Sequence, residues 1–260
     1  MQNRTQRVLS SIFAFLLSFS SGFLTGYAQA NQVDASKSWE NIHEEEGIRA
    51  FRKSIPGSPV LAFRGDAVLN ASISKIASVL IDSSRKTEWV ANCEAARTVQ
   101  EISEYERIEY NHTGTPVVIK DRDFVFHAKA YLDRKKKRMV IRVRSTPDDR
   151  VPPTQYVRGE ILDSHYILTM VGDGSKTHVQ VQIQVDPKGS VPKWLANLTQ
   201  KSWPTKTLKG IQRQAAKPDV KEHEGVKKYF SDPKSPDYLP EPTPEPYSRL
   251  GSTIDPYLDI

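Results

Sequence analysis

Four consecutive charges, Lys120-Asp121-Arg122-Asp123, stand at the head of a strand-like run that continues as Phe124-Val125-Phe126-His127-Ala128. Charges so placed either meet a polar ligand group or pin the strand through an ion pair, and buried pairs of this kind more often hold a fold. Nucleophilic chemistry finds little support. No Gly-x-Ser-x-Gly elbow occurs, and Cys93 stands alone, which suits a small buried apolar residue better than a thiolate nucleophile. The run His43-Glu44-Glu45-Glu46-Gly47 lacks the second histidine that a zinc-binding HExxH helix requires, and His127, His165 and His178 lie on separate segments. These patterns assign no catalytic residue, no metal and no cofactor.

The elements that must position such residues change period along the chain. Residues 47–54 and 60–69 read as two strands separated by Pro56-Gly57-Ser58-Pro59. Ile73, Ile76, Ala77 and Leu80 then recur at helical spacing behind a cap at Asn70 or Ser72. Strands dominate from Ala96 to Asp186, over 97–103, 106–113, 118–132, 138–145, 155–162, 164–171 and 177–185. In the last of these, Val179, Val181, Ile183 and Val185 share a face opposite His178, Gln180, Gln182 and Gln184, as expected of a sheet with one dry side. The same parity groups Arg122, Phe124, Phe126 and Ala128 on one face, and Asp121, Asp123, Val125 and His127 on the other. Finally, Val191, Trp194, Leu195, Leu198, Leu208 and Ile211 form the apolar stripe of a long closing helix, which Pro204 breaks or kinks. The expected fold class is α+β, a curved antiparallel sheet wrapped around a long C-terminal helix.

Residues 1–30 read separately. Arg4 and Arg7 flank an apolar run from Val8 to Leu24 that ends in Ala28-Gln29-Ala30, the layout of a secretory signal peptide cleaved after Ala30; an uncleaved membrane anchor is the competing reading. The expected location is periplasmic or extracellular. Arg4 and Arg7 are the only charges in that segment, so setting it aside lowers the net charge from +6 to +4. A balance so small, spread along the chain, argues against nucleic-acid binding. The one dense basic cluster, Arg134–Arg138, reads as a solvated hairpin turn or as a patch drawn to anionic headgroups. With a single cysteine the fold cannot rest on internal disulfides, and residues 31–218 are long enough to bury a core. Residues 219–260, with prolines at 233, 236, 240, 242, 244, 246 and 256, read as a proline-rich, extended and disordered tail.

One helix covers only part of a large sheet, so a sheet curving around it encloses a hollow. Left empty, a void of about 300 Å³ would cost on the order of 7 kcal/mol at ~24 cal/mol per Å³, comparable to the stability of a whole domain. Water, polar groups or an apolar ligand must occupy it.

The ordered set Arg85–Val90 ("RKTEWV"), Asp121–Val125 ("DRDFV"), Tyr156–Glu160 ("YVRGE") and Val185–Asn197 ("VDPKGSVPKWLAN") resembles the START domain, the StAR-related lipid-transfer family, over roughly Trp39 to Lys217. The resemblance implies a helix-grip fold holding one hydrophobic molecule in a tunnel between sheet and closing helix. On that basis the ligand-binding residues are Glu109, Tyr110, Arg122, Phe124, Phe126, Val181, Ile183, Trp194, Leu195 and Leu198. The segment 146–155 would form a mouth loop that parts from the helix near Pro204. Sterol-carrying members pair a buried acid with an arginine six residues after the motif arginine; Glu109 fills the acid position but Ala128 stands at the arginine position, so a sterol does not carry over.

The implied protein is a non-enzymatic, monomeric carrier of a lipid or other hydrophobic small molecule that touches a membrane surface transiently. The rival is a cyclase or aromatase on the same fold, which polar groups converging deep in the tunnel, such as Glu109, Tyr110 and Arg122, with a strongly shifted carboxyl, would favour. A third possibility is an interaction protein tethered by its tail.

Overall fold

The structure, a computed structural model, describes residues 38–115 and 119–239. The signal-peptide segment and residues 240–260 of the proline-rich region therefore lie outside the described residues. Strands β1 (Glu40–Glu45), β2 (Ile48–Lys53) and β3 (Ala62–Leu69) precede helix α1 (Ile73–Ile81) and a 3-10 turn (Ser83–Glu88). Next come β4 (Cys93–Ser103), β5 (Glu106–Thr113), β6 (Arg122–Asp133), β7 (Arg138–Ser145), β8 (Val157–Arg158), β9 (Glu160–Val171) and β10 (Lys176–Asp186). Three helices follow, α2 (Lys193–Gln200), α3 (Trp203–Ala215) and α4 (Glu224–Ser231), and a short β11 (Tyr238–Leu239). The main strands form one curved sheet in the order β1-β2-β3-β10-β9-β7-β6-β5-β4, with every neighbouring pair antiparallel. The α+β reading and the sheet curved on a C-terminal helix hold.

Register places the core. Leu132, Met139, Leu168, Val179 and Ala67 stand opposite one another across five strands, and all are buried on the concave face. Ile76 and Leu80 of α1, Leu208 and Ile211 of α3, and Val226 and Tyr229 of α4 pack into the same cluster. α1 starts where Ser72 accepts from Lys75 N, an N-cap that satisfies one otherwise unpaired helix donor. Gly210 lets α3 approach closely: a Cβ there would lie 2.4 Å from the Trp89 carbonyl oxygen.

Three expectations change. Segments 155–162 and 164–171 are largely one strand, β9, in which the pairing skips Leu162, so that Gln184 opposes Asp163 and Val185 opposes Ile161. Asp163, left between the two expected strands, follows a β-bulge, which adds a residue without ending the strand. The closing helix breaks, as expected, but at residues 201–202 rather than at Pro204. α2 ends at Gln200 and α3 begins at Trp203 with Pro204 in its first turn, where a proline's missing donor costs nothing. The third change concerns the tail. Between residues 219 and 239 it carries α4 and β11; Val226 is fully buried, and β11 pairs with the end of β6 at Asp133 and Leu132. The Arg134–Arg138 turn receives this segment. Arg134 and Lys135 both pair with Asp237, at 3.1 and 2.7 Å, and Arg134 N donates to Asp237 O. Proline density misled here because all seven prolines of residues 219–260 fall at or after residue 233, which leaves residues 219–232 free to form an eight-residue helix.

Candidate functional site

Two same-face rows along the concave face from Leu132, Met139 and Leu168, a cavity opens between sheet and helices. Ala128, Val143, Ser164 and Ile183 face each other there, and with Ile141 and Tyr166 they form one wall of a cavity of about 270 Å³. β5 and β6 add Glu109, Asn111, Arg122, Phe124 and Phe126; Leu80, Lys86 and Trp89 close it from the α1 side, and Gln200 and Trp203 from the α2–α3 junction. The bulge in β9 turns Ile161 to the same lining as Ser164. A second hollow of about 430 Å³ lies between the ends of α1, the 3-10 turn and residues 214–223, but charged groups such as Asp82, Arg85, Arg107 and Lys221 surround it. The apolar lining of the first makes it the candidate for a hydrophobic guest.

Of the residues inferred from sequence, Glu109, Arg122, Phe124, Phe126 and Ile183 reach the cavity wall. Val181 faces the same way but is fully buried in the packed core. Tyr110 points to the opposite face, with the Arg97 guanidinium 5.3 Å from its ring centre, because strand parity separates it from Glu109. Trp194 and Leu198 turn outward, 67% and 59% exposed, and Leu195 is half-buried outside the lining. The break at residues 201–202 shifts the phase of α2 against α3, so the single stripe read from sequence splits. Asn197 and Gln200 hold the inner side of α2, accepting from Leu61 N at 3.1 Å and donating to Val185 O at 3.1 Å. Parity applied to β9 as well would have found Ser164 and Tyr166; Lys86 and Trp89 lie within the "RKTEWV" motif but carried no periodic signal.

The charges at the head of β6 have separate duties. Asp123, fully buried, accepts from Arg158 Nε at 2.8 Å, from Arg158 Nη2 at 3.1 Å and from Thr154 Oγ1 at 2.8 Å. These donors keep its carboxyl below the usual range although burial pushes the other way. Asp121 lies 2.8 Å from His112 Nε2 and accepts from Thr115 N at 2.8 Å. Arg122 points to the other face, so Arg122 and Asp123 form no pair. Its Nε donates to Pro187 O (3.2 Å), its Nη2 to Lys188 O (3.3 Å) and its Nη1 to Lys120 O, which clamps the Asp-Pro-Lys-Gly loop against β6 at the cavity's end. Burial lowers its pKa. The segment 146–155 is anchored by Thr154 to Asp123, by Arg150 to Gln100 and by buried Val151, and none of it lines the cavity.

Glu109 has a cation after all. Lys86 of the 3-10 turn binds its Oε2, and the same ammonium sits 5.3 Å from the Phe126 ring centre. Burial, with Glu109 nearby, raises the pKa of Tyr166, so its phenol stays neutral at physiological pH. Glu109, Tyr110 and Arg122 do not converge.

A family model for the START domain matches residues 29–215. The chain belongs to the START domain family. A STAR-related lipid transfer protein from Xanthomonas axonopodis is 28% identical, with a TM-score of 0.61 over 69% of this chain and 99% of that structure. Human StAR-related lipid transfer protein 5 shares the fold at 16% identity, with a TM-score of 0.61 over 69% of this chain and 87% of its own. An uncharacterized Pseudomonas aeruginosa protein is 26% identical over 183 residues, covering 70% of this chain and 89% of that protein. The START fold accounts for the place of the hollow, between the grip of the sheet and the helices that close it.

Proposed function

We propose that this START-domain protein is a monomeric, non-enzymatic carrier that holds one hydrophobic molecule, working in the periplasm or outside the cell. The observation that carries the reading is the cavity of about 270 Å³ with a largely apolar wall, in which Phe, Ile, Val, Leu and Trp side chains are joined by Ala91, Ala128 and Pro187. Empty, it would cost roughly 6 kcal/mol at ~24 cal/mol per Å³. Filled by acyl chain, it gains about 0.8 kcal/mol for each methylene removed from water. The charged groups on its walls are engaged in fixed pairs or carbonyl contacts, which suits holding better than bond-making.

A carrier must also meet the surface it loads from. Trp194 and Leu198 are one helical turn apart on the outer side of α2, with Lys193 and Lys201 beside them. An exposed indole and leucine flanked by lysines suit brief insertion at a headgroup boundary, and α2 covers the cavity through Gln200. The test is native mass spectrometry of the purified protein before and after organic extraction. We expect an adduct lost on extraction and regained with added lipid; a protein that neither carries nor takes up an apolar molecule would overturn the reading.

A further inference from the structure

The cavity is apolar but not uniformly so. Four lining atoms are buried without a hydrogen-bond partner among the described residues: Trp89 Nε1, Asn111 Oδ1, Ser164 Oγ and Gln200 Oε1. Trp89 and Ser164 are 4% and 5% exposed, so bulk water does not reach them. Gln200 has its amide orientation fixed, because Nε2 donates to Val185 O; its Oε1 is left as an acceptor. Lys86 and Glu109, in contrast, satisfy each other.

These groups sort ligands by chemistry. An indole N–H only donates and an amide oxygen only accepts, whereas a serine hydroxyl does both. A pure hydrocarbon would leave every one of them desolvated and unpaired. An ester or carboxylate headgroup could accept from Trp89 and Ser164 but has no proton for Gln200 or Asn111. A hydroxyl both gives and takes. Building on the carrier reading above, we infer that the bound molecule is a hydroxyl-bearing amphiphile whose hydroxyl lies in the cavity against Ser164, Gln200 and Trp89, and that these residues set the preference for it.

The test compares dodecanol with methyl dodecanoate as competitors for a bound NBD-labelled fatty acid, on the full chain. Both carry a twelve-carbon chain; the alcohol brings a donor and an acceptor, the ester two acceptor oxygens, one more methyl and no donor. We expect the wild type to prefer the alcohol about tenfold, the scale of one buried donor–acceptor contact made or left unmade. The preference should shrink to within about twofold in Ser164→Ala and in Gln200→Leu, each checked for native circular dichroism. Equal affinity of the wild type for alcohol and ester, or variants that keep the full preference, overturns the inference and leaves the carrier reading standing. Failure of the labelled fatty acid and both competitors to bind overturns both.

Discussion

Lys86, on a 3-10 turn, neutralises Glu109 of β5 from across the cavity, while the strand position opposite Glu109 is taken by the ring of Phe126. The acid that sterol carriers pair with a strand arginine is here paired with a lysine from a different element, over an aromatic face. Because the cation comes from the turn, the pair ties the helical side of the cavity to the sheet.

Removing one member of that pair leaves the other charge buried. Lys86→Met and Glu109→Leu should each lower stability by about 3–5 kcal/mol, and the double variant should recover most of it. Urea titrations of the three variants decide this; additive losses in the double variant would mean that the two groups do not depend on each other.

Acid should loosen α1 from the C-terminal segment. Glu222 pairs with Lys227 at 2.7 Å and accepts from Ser72 and Ser74 at 2.7 and 3.0 Å; these contacts, Lys227 first, lower its pKa from 4.5 to about 2. A carboxylate with a depressed folded pKa stabilises fully above its unfolded value and loses that contribution as pH falls through the folded one. The window is therefore from 4.5 down to about 2. Thermal melts of Glu222→Gln should show lower stability than wild type at neutral pH and a gap that closes across this window.

A chain ending at Pro218 should be markedly less stable. It would lose Val226 and Tyr229 from the core, at about 1.5–3 kcal/mol for each buried side chain. It would also lose the Tyr229 hydroxyl, which lies 2.9 Å from Asp237 O and 3.1 Å from Leu132 O. Calorimetry of chains ending at 218 and 239 makes the comparison, and equal melting temperatures would contradict the role given to α4.

Trp194→Ser and Leu198→Ser should leave the melting temperature almost unchanged, since both side chains already face water. Lipid exchange between vesicles should slow in both. Unaltered exchange would locate membrane contact elsewhere.

Much of this was legible one strand at a time. Alternation in β10 and β6 showed which side of each strand is dry, and the ordered motifs around Trp89, Asp123 and Asp186 pointed to the family. The phase of α2 was not, because the stripe from Trp194 to Leu208 was drawn in one register, whereas the break at residues 201–202 turns α2 against α3. Lys86 was missed for a related reason: a charge in an irregular turn belongs to no period.

By itself the sequence determined the period and parity of its elements, since these follow from local backbone geometry and alternating side chains. Only the tertiary structure decided which cation meets Glu109, where α2 turns its tryptophan, and that Val226 and Tyr229 of the proline-rich segment complete the core. Those outcomes depend on contacts between segments far apart in the chain, and no local pattern fixes how such segments meet.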